Sequence, residues 1–294
     1  MSAPPAWLVT GATGQLGTDL QALLAGADVT ALGRRELDLT DEAQVRGVVG
    51  RWRDDALARG ARPVVLNAAA YTAVDAAEAD EETAHRVNGL APGWLAEELA
   101  GRGRLVHVST DYVFAGDATR PYRPDDEPAP RTAYGRTKLA GERAVAAVDD
   151  DAVVVRTAWV YAAHGKNFVR TMLRLEAERD TVSVVEDQTG SPTWSADLAG
   201  GLVEVAQSPV RGVLHATNAG STTWYGLAVA VFAGVGADLD RVLPVPTSAY
   251  PTPAPRPAYS VLDGEAWTAA GLTHLGYWEP ALAACLSQLG VLAT

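Results

Sequence analysis

The chain has 294 residues, 48% of them hydrophobic and 20% charged, which is enough apolar mass for a substantial core and for a doubly wound sheet with an appended lobe. A formal charge of -12 with no compensating Lys/Arg cluster argues against nucleic acid as a partner, and a lone cysteine, Cys285, rules out an intrachain disulfide. The five histidines lack metal-site spacing, residues 1–5 carry no basic leader, and no uncharged apolar stretch reaches membrane-spanning length, so a soluble, cytoplasmic protein with no membrane partner is expected.

Trp7 to Thr10 is a short apolar run that breaks into Gly11-Ala12-Thr13-Gly14-Gln15-Leu16-Gly17, after which Leu20, Leu23 and Leu24 recur at helical spacing. Closely spaced glycines between a strand and a helix bring a phosphate against free backbone N–H groups at the positive end of the helix dipole. Gly11, Gly14 and Gly17 supply them, although their spacing is one residue longer in its first interval than the dinucleotide fingerprint, and a plain tight turn is the competing reading. The next apolar run, Asp28 to Leu32, ends at Gly33-Arg34-Arg35. An acidic residue about 20 residues after the glycines usually holds the ribose 2′-hydroxyl of NAD. Two guanidinium groups suit a 2′-phosphate instead, so Arg34 and Arg35 predict NADPH in preference to NADH, with a solvated turn as the alternative.

The pattern continues with a helix from Asp41 to about Arg53, a strand Pro63 to Asn67, a helix through Thr83 to Ala100, a strand Arg104 to Ser109, a helix around Tyr134 to Val148 and a strand Ala152 to Val160. Strands alternating with helices predict an α/β fold: a doubly wound parallel sheet of Rossmann type, with ligands at the carboxyl ends of its strands. Residues 1–160 are expected to form the NADP-binding domain. Short strands at Val182 to Val185 and Val213 to Ala216 are expected to return to its sheet (about 182–216), while 161–181 and 217–294, with the Pro-rich stretch Pro244 to Pro257, form a smaller C-terminal substrate lobe.

Reducing a ketone needs a hydride at the carbonyl carbon and a proton at its oxygen, from an acid whose pKa has been brought toward neutrality. Tyr134-Gly135-Arg136-Thr137-Lys138 sets a lysine one helical turn after a tyrosine, on the same face, where its charge favours the phenolate. Only Lys138 and Lys166 are lysines, and the other 22 basic residues are arginines. A lysine kept here points to a compact ammonium that fits beneath a ribose. Tyrosine and lysine also fall at this spacing by accident, but two neighbouring strand ends favour chemistry. One delivers Ser109-Thr110-Asp111, with Thr110 able to hydrogen-bond the same carbonyl oxygen. The other, Asn67-Ala68-Ala69-Ala70-Tyr71, supplies small residues that let the backbone lie against the nicotinamide ribose. Asn88, on the following helix, reads either as an orienter of Lys138 through water or as a buried amide.

Thr10 to Gly17, Asn67 to Asp75, Ser109 to Phe114, Tyr134 to Glu142, Arg156 to Tyr161 and Asp187 to Thr193 resemble, in order and spacing, the dTDP-4-dehydrorhamnose reductase family of extended short-chain dehydrogenases/reductases. Thr223-Trp224-Tyr225 and Ala249 to Pro257 extend the resemblance over nearly the whole chain. It implies reduction of dTDP-4-dehydro-β-L-rhamnose at C4 by NADPH, the last step of dTDP-rhamnose synthesis. Under it Tyr134 is the proton donor, Thr110 stabilises the developing alkoxide, and Lys138 tunes Tyr134 and holds the cofactor ribose. Gly14, Gln15 and Leu16, Asp38 and Leu39 near the adenine, and Ala69, Ala70 and Tyr71 near the nicotinamide would contact the cofactor. Thr110, Asp111, Tyr134 and Trp159 would meet the sugar, with a purely packed Trp159 as the alternative. Arg256, in the matched Pro-rich stretch, is the leading candidate for the substrate diphosphate; Lys166, Arg170 and Arg174 are further candidates that read more simply as surface residues.

Two departures from the family pattern matter. Gly33-Arg34 stands where the family has an acidic residue, which strengthens the NADPH reading. Some members bridge subunits through magnesium held by carboxylates; the matching Trp194-Ser195-Ala196 offers an alanine, which cannot ligate a hard cation. No bound metal and a monomer or weak homodimer are therefore expected. A 4-ketoreductase for another dTDP-deoxysugar is the close alternative. A non-catalytic nucleotide-binding regulatory subunit is the distant one, and the presence of Thr110, Tyr134 and Lys138 together speaks against it.

Overall fold

The computed structural model describes residues 3–293; Met1, Ser2 and Thr294, which the expected domain ranges include, lie outside the described residues. The chain runs β1 (Pro5–Thr10), α1 (Gln15–Leu23), β2 (Val29–Leu32), α2 (Glu42–Ala58) and β3 (Arg62–Asn67). Two short helices, α3 (Val74–Ala79) and α4 (Glu81–His85), lead through a π-helical turn, Arg86–Leu90, into α5 (Ala91–Leu99), followed by β4 (Arg104–Thr110), α6 (Ala133–Ala146) and β5 (Val153–Thr157). Next come β6 (Val160–Tyr161), α7 (Phe168–Glu178), β7 (Val182–Val185), β8 (Thr189–Gly190), β9 (Thr193–Trp194), α8 (Ser195–Gln207) and β10 (Gly212–His215). The chain ends with β11 (Thr222–Thr223), α9 (Trp224–Gly234), β12 (Val242–Val245), α10 (Glu265–Ala269) and α11 (Trp278–Gln288).

Six strands form one parallel sheet in the order β2-β1-β3-β4-β5-β10. Strands with apolar side chains on both faces need helices on both, and successive residues serve opposite sides. Trp7, Val9, Val64, Leu66 and Val106 pack with Leu16 and Leu20 of α1 and Leu198, Leu202 and Val205 of α8. Leu8, Val65, Leu105 and Val154 pack with Val45 and Val49 of α2, Leu95 and Leu99 of α5, and Val145 of α6. Truncating one of these fully buried leucines to Ala costs about 2–5 kcal/mol. A separate core, including Val169, Met172, Leu227, Phe232, Trp278 and Leu282, holds the smaller lobe together. From β1 the chain goes to β2 on one side and to β3 on the other. This reversal opens a crevice at the carboxyl ends of the two strands.

The structure corrects several element assignments. Val182–Val185 does not return to the main sheet; it pairs in parallel with Val242–Val245, and its inward Val182 and Val184 cover the lobe core. Within 182–216 the return is made by α8 and β10 alone. The strand expected from Ala152 to Val160 stops at Thr157, because Trp159 adopts a positive φ of 46° that no strand continues through, and Val160–Tyr161 then pairs with Thr193–Trp194. The helix expected over Thr83 to Ala100 contains the π turn, and α3 was not anticipated. Part of the C-terminal stretch expected in the substrate lobe turns back: Trp267 and Leu272 belong to the core beneath α8. No helix among the described residues is long and apolar enough to cross a membrane.

Candidate functional site

A cavity of about 750 Å³ lies at the carboxyl ends of β1, β3 and β4, within the size range of small-molecule sites. Its wall brings together Gly11, Gly14, Gln15, Leu16, Arg34, Asp38, Leu39, Ala69, Ala70, Tyr71, Thr110, Asp111, Tyr134, Lys138 and Trp159. Three residues from the sequence-based set are not on it: Gly17, Arg35 and Arg256.

The glycine turn has steric reasons for its composition. Gly11 has φ +68°, and a Cβ there would stand 2.7 Å from the Ala69 backbone, so the turn seats directly on the end of β3. A Cβ at Gly17 would strike the Gly11 carbonyl, so Gly17 serves the seating of α1 on the turn rather than the wall itself. The first N–H groups of α1 have no intrahelical partner and carry the positive end of its dipole. Across the crevice, Arg34 lines the wall without an acidic partner within ion-pair distance among the described residues; Arg35 is exposed like Arg34 but lies off the wall. Asp38 accepts from the backbone N–H and hydroxyl of Thr40, at 2.9 and 2.8 Å. Those bonds, with the Arg34 charge adding, hold its carboxyl below the usual range.

Tyr134 lies in the first turn of α6, which is capped by the Thr132 hydroxyl accepting from Gly135 N at 3.0 Å. Gly135 has no room for a side chain because a Cβ would meet the Tyr112 carbonyl. The Tyr112 ring meets the Tyr134 ring edge-on at 5.5 Å. Burial pushes the Tyr134 hydroxyl up to about 12, and a hydrogen bond with Thr110 opposes this. Its acidity is thus set by burial and Thr110 rather than lowered by Lys138, as the spacing suggested. The Lys138 side chain is 2% exposed, and its Nζ donates to Val108 O at 2.6 Å and faces His107 Nε2 at 3.4 Å. Burial pushes this ammonium down to about 8, with Glu142 opposing. Behind it, Asn67 Nδ2 faces His107 Nδ1 at 2.9 Å, and Thr10 Oγ1 donates to Asn67 Oδ1 at 2.7 Å. Burial, reinforced by the Lys138 charge, holds the His107 imidazole well below its ordinary value and therefore neutral.

Asn88 is fully buried, as the buried-amide reading has it, and makes no direct hydrogen bond to Lys138. The π turn aims its amide at the Tyr71 peptide, accepting from Tyr71 N at 2.8 Å and donating to Tyr71 O at 3.1 Å and to Thr137 Oγ1 at 3.2 Å. It fixes the Ala69–Tyr71 backbone against the cavity.

On the lobe side Trp159 lies flat on Trp224, centroids 3.5 Å apart and planes 6° from parallel, and Phe168 packs against Trp224 at 4.6 Å. Asp111 is 3% exposed, its Oδ1 accepting from Thr110 Oγ1 at 2.9 Å and its Oδ2 without a partner; burial raises its pKa to about 6. Arg256 is committed elsewhere: it donates to Asp75 Oδ2 at 2.6 Å and to Ala254 O at 3.0 Å, tying the Pro-rich stretch to α3. Arg174 pairs with Glu178 and Arg170 donates to Ala163 O, so of the four cations considered for a diphosphate only Lys166 lines the cavity. The sequence reading assigned no role to Gly165, Trp224, Asn67 or His107 individually. A histidine inside an otherwise aliphatic strand was the one signal available for the last.

The family model described as RmlD substrate binding domain matches residues 6–291. The chain is 51% identical over 287 residues to dTDP-4-dehydrorhamnose reductase of Streptomyces griseus, covering 95% of this chain and 92% of that protein. It is 48% identical over 280 residues to dTDP-4-keto-6-deoxy-D-glucose reductase of Streptomyces niveus, covering 94% of each. The crystal structure of dTDP-4-dehydrorhamnose reductase from Bacillus anthracis in complex with NADP superposes with a TM-score of 0.91 at 35% identity, covering 97% of this chain and 99% of that one.

Proposed function

Because the chain belongs to the dTDP-4-dehydrorhamnose reductase family, we propose that it reduces the C4 ketone of dTDP-4-dehydro-β-L-rhamnose with NADPH, giving dTDP-β-L-rhamnose. The observation that carries this reading is the convergence of Thr110, Tyr134 and Lys138 on one wall of a cavity whose other end is the glycine turn. The residues fit the dinucleotide: Gly11 keeps the turn against β3, α1 presents its N-terminus, and Arg34, unpaired among the described residues, stands where a ribose phosphate is expected.

NADPH, when bound, supplies the hydride for the carbonyl carbon. Tyr134 gives its proton to the carbonyl oxygen. A phenol is a stronger acid than the secondary alcohol being formed, so this transfer is favourable even from about 12. Thr110 Oγ1 turns its one proton from Asp111 Oδ1 to the same oxygen as charge builds there, and Lys138, one turn along α6, holds the cofactor ribose. Arg34 holds the 2′-phosphate, Asp38 and Leu39 flank the adenine, and Ala69, Ala70 and Tyr71 flank the nicotinamide. Asp111, with its unpartnered oxygen, and Trp159, stacked on Trp224, form the sugar side. In this assignment residues through 160, with the 195–216 return, hold the cofactor, and the lobe built from 161–194 and most of 217–293 holds the sugar. The reading sets the enzyme in the cytoplasm as a monomer or weak homodimer without a metal bridge; chelator-sensitive dimers in light scattering would count against that.

A second reading, reduction of a different dTDP-4-keto-deoxysugar, is favoured by the 48% identity to the Streptomyces niveus protein. NADPH oxidation measured with each sugar nucleotide separates the two. Fast turnover with dTDP-4-dehydro-β-L-rhamnose that is lost in Tyr134→Phe supports the first. A wild type inert with that sugar and active with dTDP-4-keto-6-deoxy-D-glucose moves the assignment to the second.

A further inference from the structure

The loop between β6 and α7 belongs to the smaller lobe, yet it is fastened to the glycine turn of the other. His164 Nε2 donates to Gln15 O at 2.9 Å, and Asn167 Nδ2 donates to Gln15 Oε1 at 2.9 Å and to Ala162 O at 2.8 Å. Gly165, at φ +68°, lies so close that a Cβ there would stand 3.2 Å from Gln15 Cγ. His164 Nδ1 also faces Asp19 of α1 at 3.8 Å. Lys166 sits between these three anchors, exposed and on the cavity wall, with no acidic partner within ion-pair distance among the described residues.

Of the basic side chains on that wall, Arg34 stands at the end of β2 and Lys138 is buried against Val108 O beside Tyr134. The stretch between them, at the end of β1, has backbone N–H groups but no cation of its own chain segment. A dinucleotide laid along this wall brings its diphosphate to that stretch, where two negative charges enter a protein whose formal charge is -12. We infer that Lys166, delivered by a substrate-lobe loop clamped on Gln15, is the side chain that meets the cofactor's diphosphate, so that the cofactor is gripped from both lobes. This rests on the dinucleotide reading of the cavity. Lys166, which the sequence offered only as a candidate behind Arg256 for the substrate's diphosphate, is thereby assigned to the cofactor's.

NADPH and NADH share the diphosphate and differ only at the 2′-phosphate, which makes the contact separable from that of Arg34. Binding is read by the change in dinucleotide fluorescence with no sugar nucleotide present. Lys166→Gln should weaken NADPH and NADH by the same factor, about five- to twentyfold. The effect should shrink as salt is raised, and Lys166→Arg should restore most of the affinity. Affinities within about twofold of wild type would overturn the inference. So would a loss confined to NADPH, which would move the lysine to the ribose phosphate, or a rise in the sugar nucleotide's KM with unchanged dinucleotide binding. An error about which sugar is reduced leaves this test intact, because no sugar is used; a wild type that binds neither dinucleotide overturns both this inference and the reading beneath it.

Discussion

Lys138 carries a charge in a place that disfavours it, and removing that charge should make the protein more stable while disabling it. Burial lowers the ammonium from 10.5 in a free lysine to about 8. At about 1.36 kcal/mol per pKa unit, holding the charged form in the fold costs about 3 kcal/mol near neutral pH. Lys138→Met removes this cost but strands Val108 O, which loses its 2.6 Å donor and gives back about 1–2 kcal/mol. The variant should therefore be more stable than wild type by about 1–2 kcal/mol near pH 7. Between about pH 8 and about pH 10.5 the unfolded wild type still binds a proton that the folded protein has released, so wild-type stability rises with pH through that window. The variant has no such rise, and by about pH 10 its advantage should vanish or reverse. Urea denaturation of both proteins at the two pH values measures this, and taking the difference cancels the other groups that titrate alike in each. A stability gap that is the same at both pH values would refute the assignment of a buried, destabilised ammonium to Lys138.

Tyr134→Phe should lower kcat about 10²–10⁴-fold while leaving NADPH binding, followed by fluorescence, nearly intact, since only the proton is lost. Arg34→Gln should cut the NADPH-over-NADH ratio of kcat/KM by about tenfold or more through the NADPH value alone; equal losses with both cofactors would remove Arg34 from the 2′-phosphate. Glu142 accepts from Arg156 Nε and Nη2 at 3.0 and 2.7 Å, with both side chains about 5% exposed or less, and it also takes the Ser109 hydroxyl at the end of β4. Glu142→Gln should cost about 3–5 kcal/mol in urea denaturation by stranding the guanidinium, and a joint Glu142→Leu, Arg156→Met variant should cost less than either single change.

The sheet was legible because its strands read as continuous apolar runs broken by glycine turns, as a core covered on both sides requires. Trp7 to Thr10 and Pro63 to Asn67 each appear in the structure with bounds shifted by two residues or fewer. The wall residues from Gly11 to Lys138 were legible for a related reason: they sit at strand ends or one helical turn apart, where local geometry determines their direction. What failed depended on partners distant in the chain. Val182 to Val185 looks like any short strand, and only its pairing with Val242 to Val245 puts it outside the main sheet. Asn88 had two readings in the sequence, and only its distant partners Tyr71 and Thr137 mark it as the buried amide. Arg256 stands in the expected segment, and Asp75 takes its charge.

By itself the sequence determined the fold class, the glycine turn and the Tyr134–Lys138 pair, because strand alternation, turn sterics and helical periodicity act over a few residues. Only the tertiary structure decided the acidity of the groups in the cavity and which cations reach it. Both depend on burial and on long-range partners: the Tyr134 phenol is raised although a lysine follows it one turn later, and Lys166 lines the cavity on a loop that His164 and Asn167 fasten to Gln15, about 150 residues away in the chain.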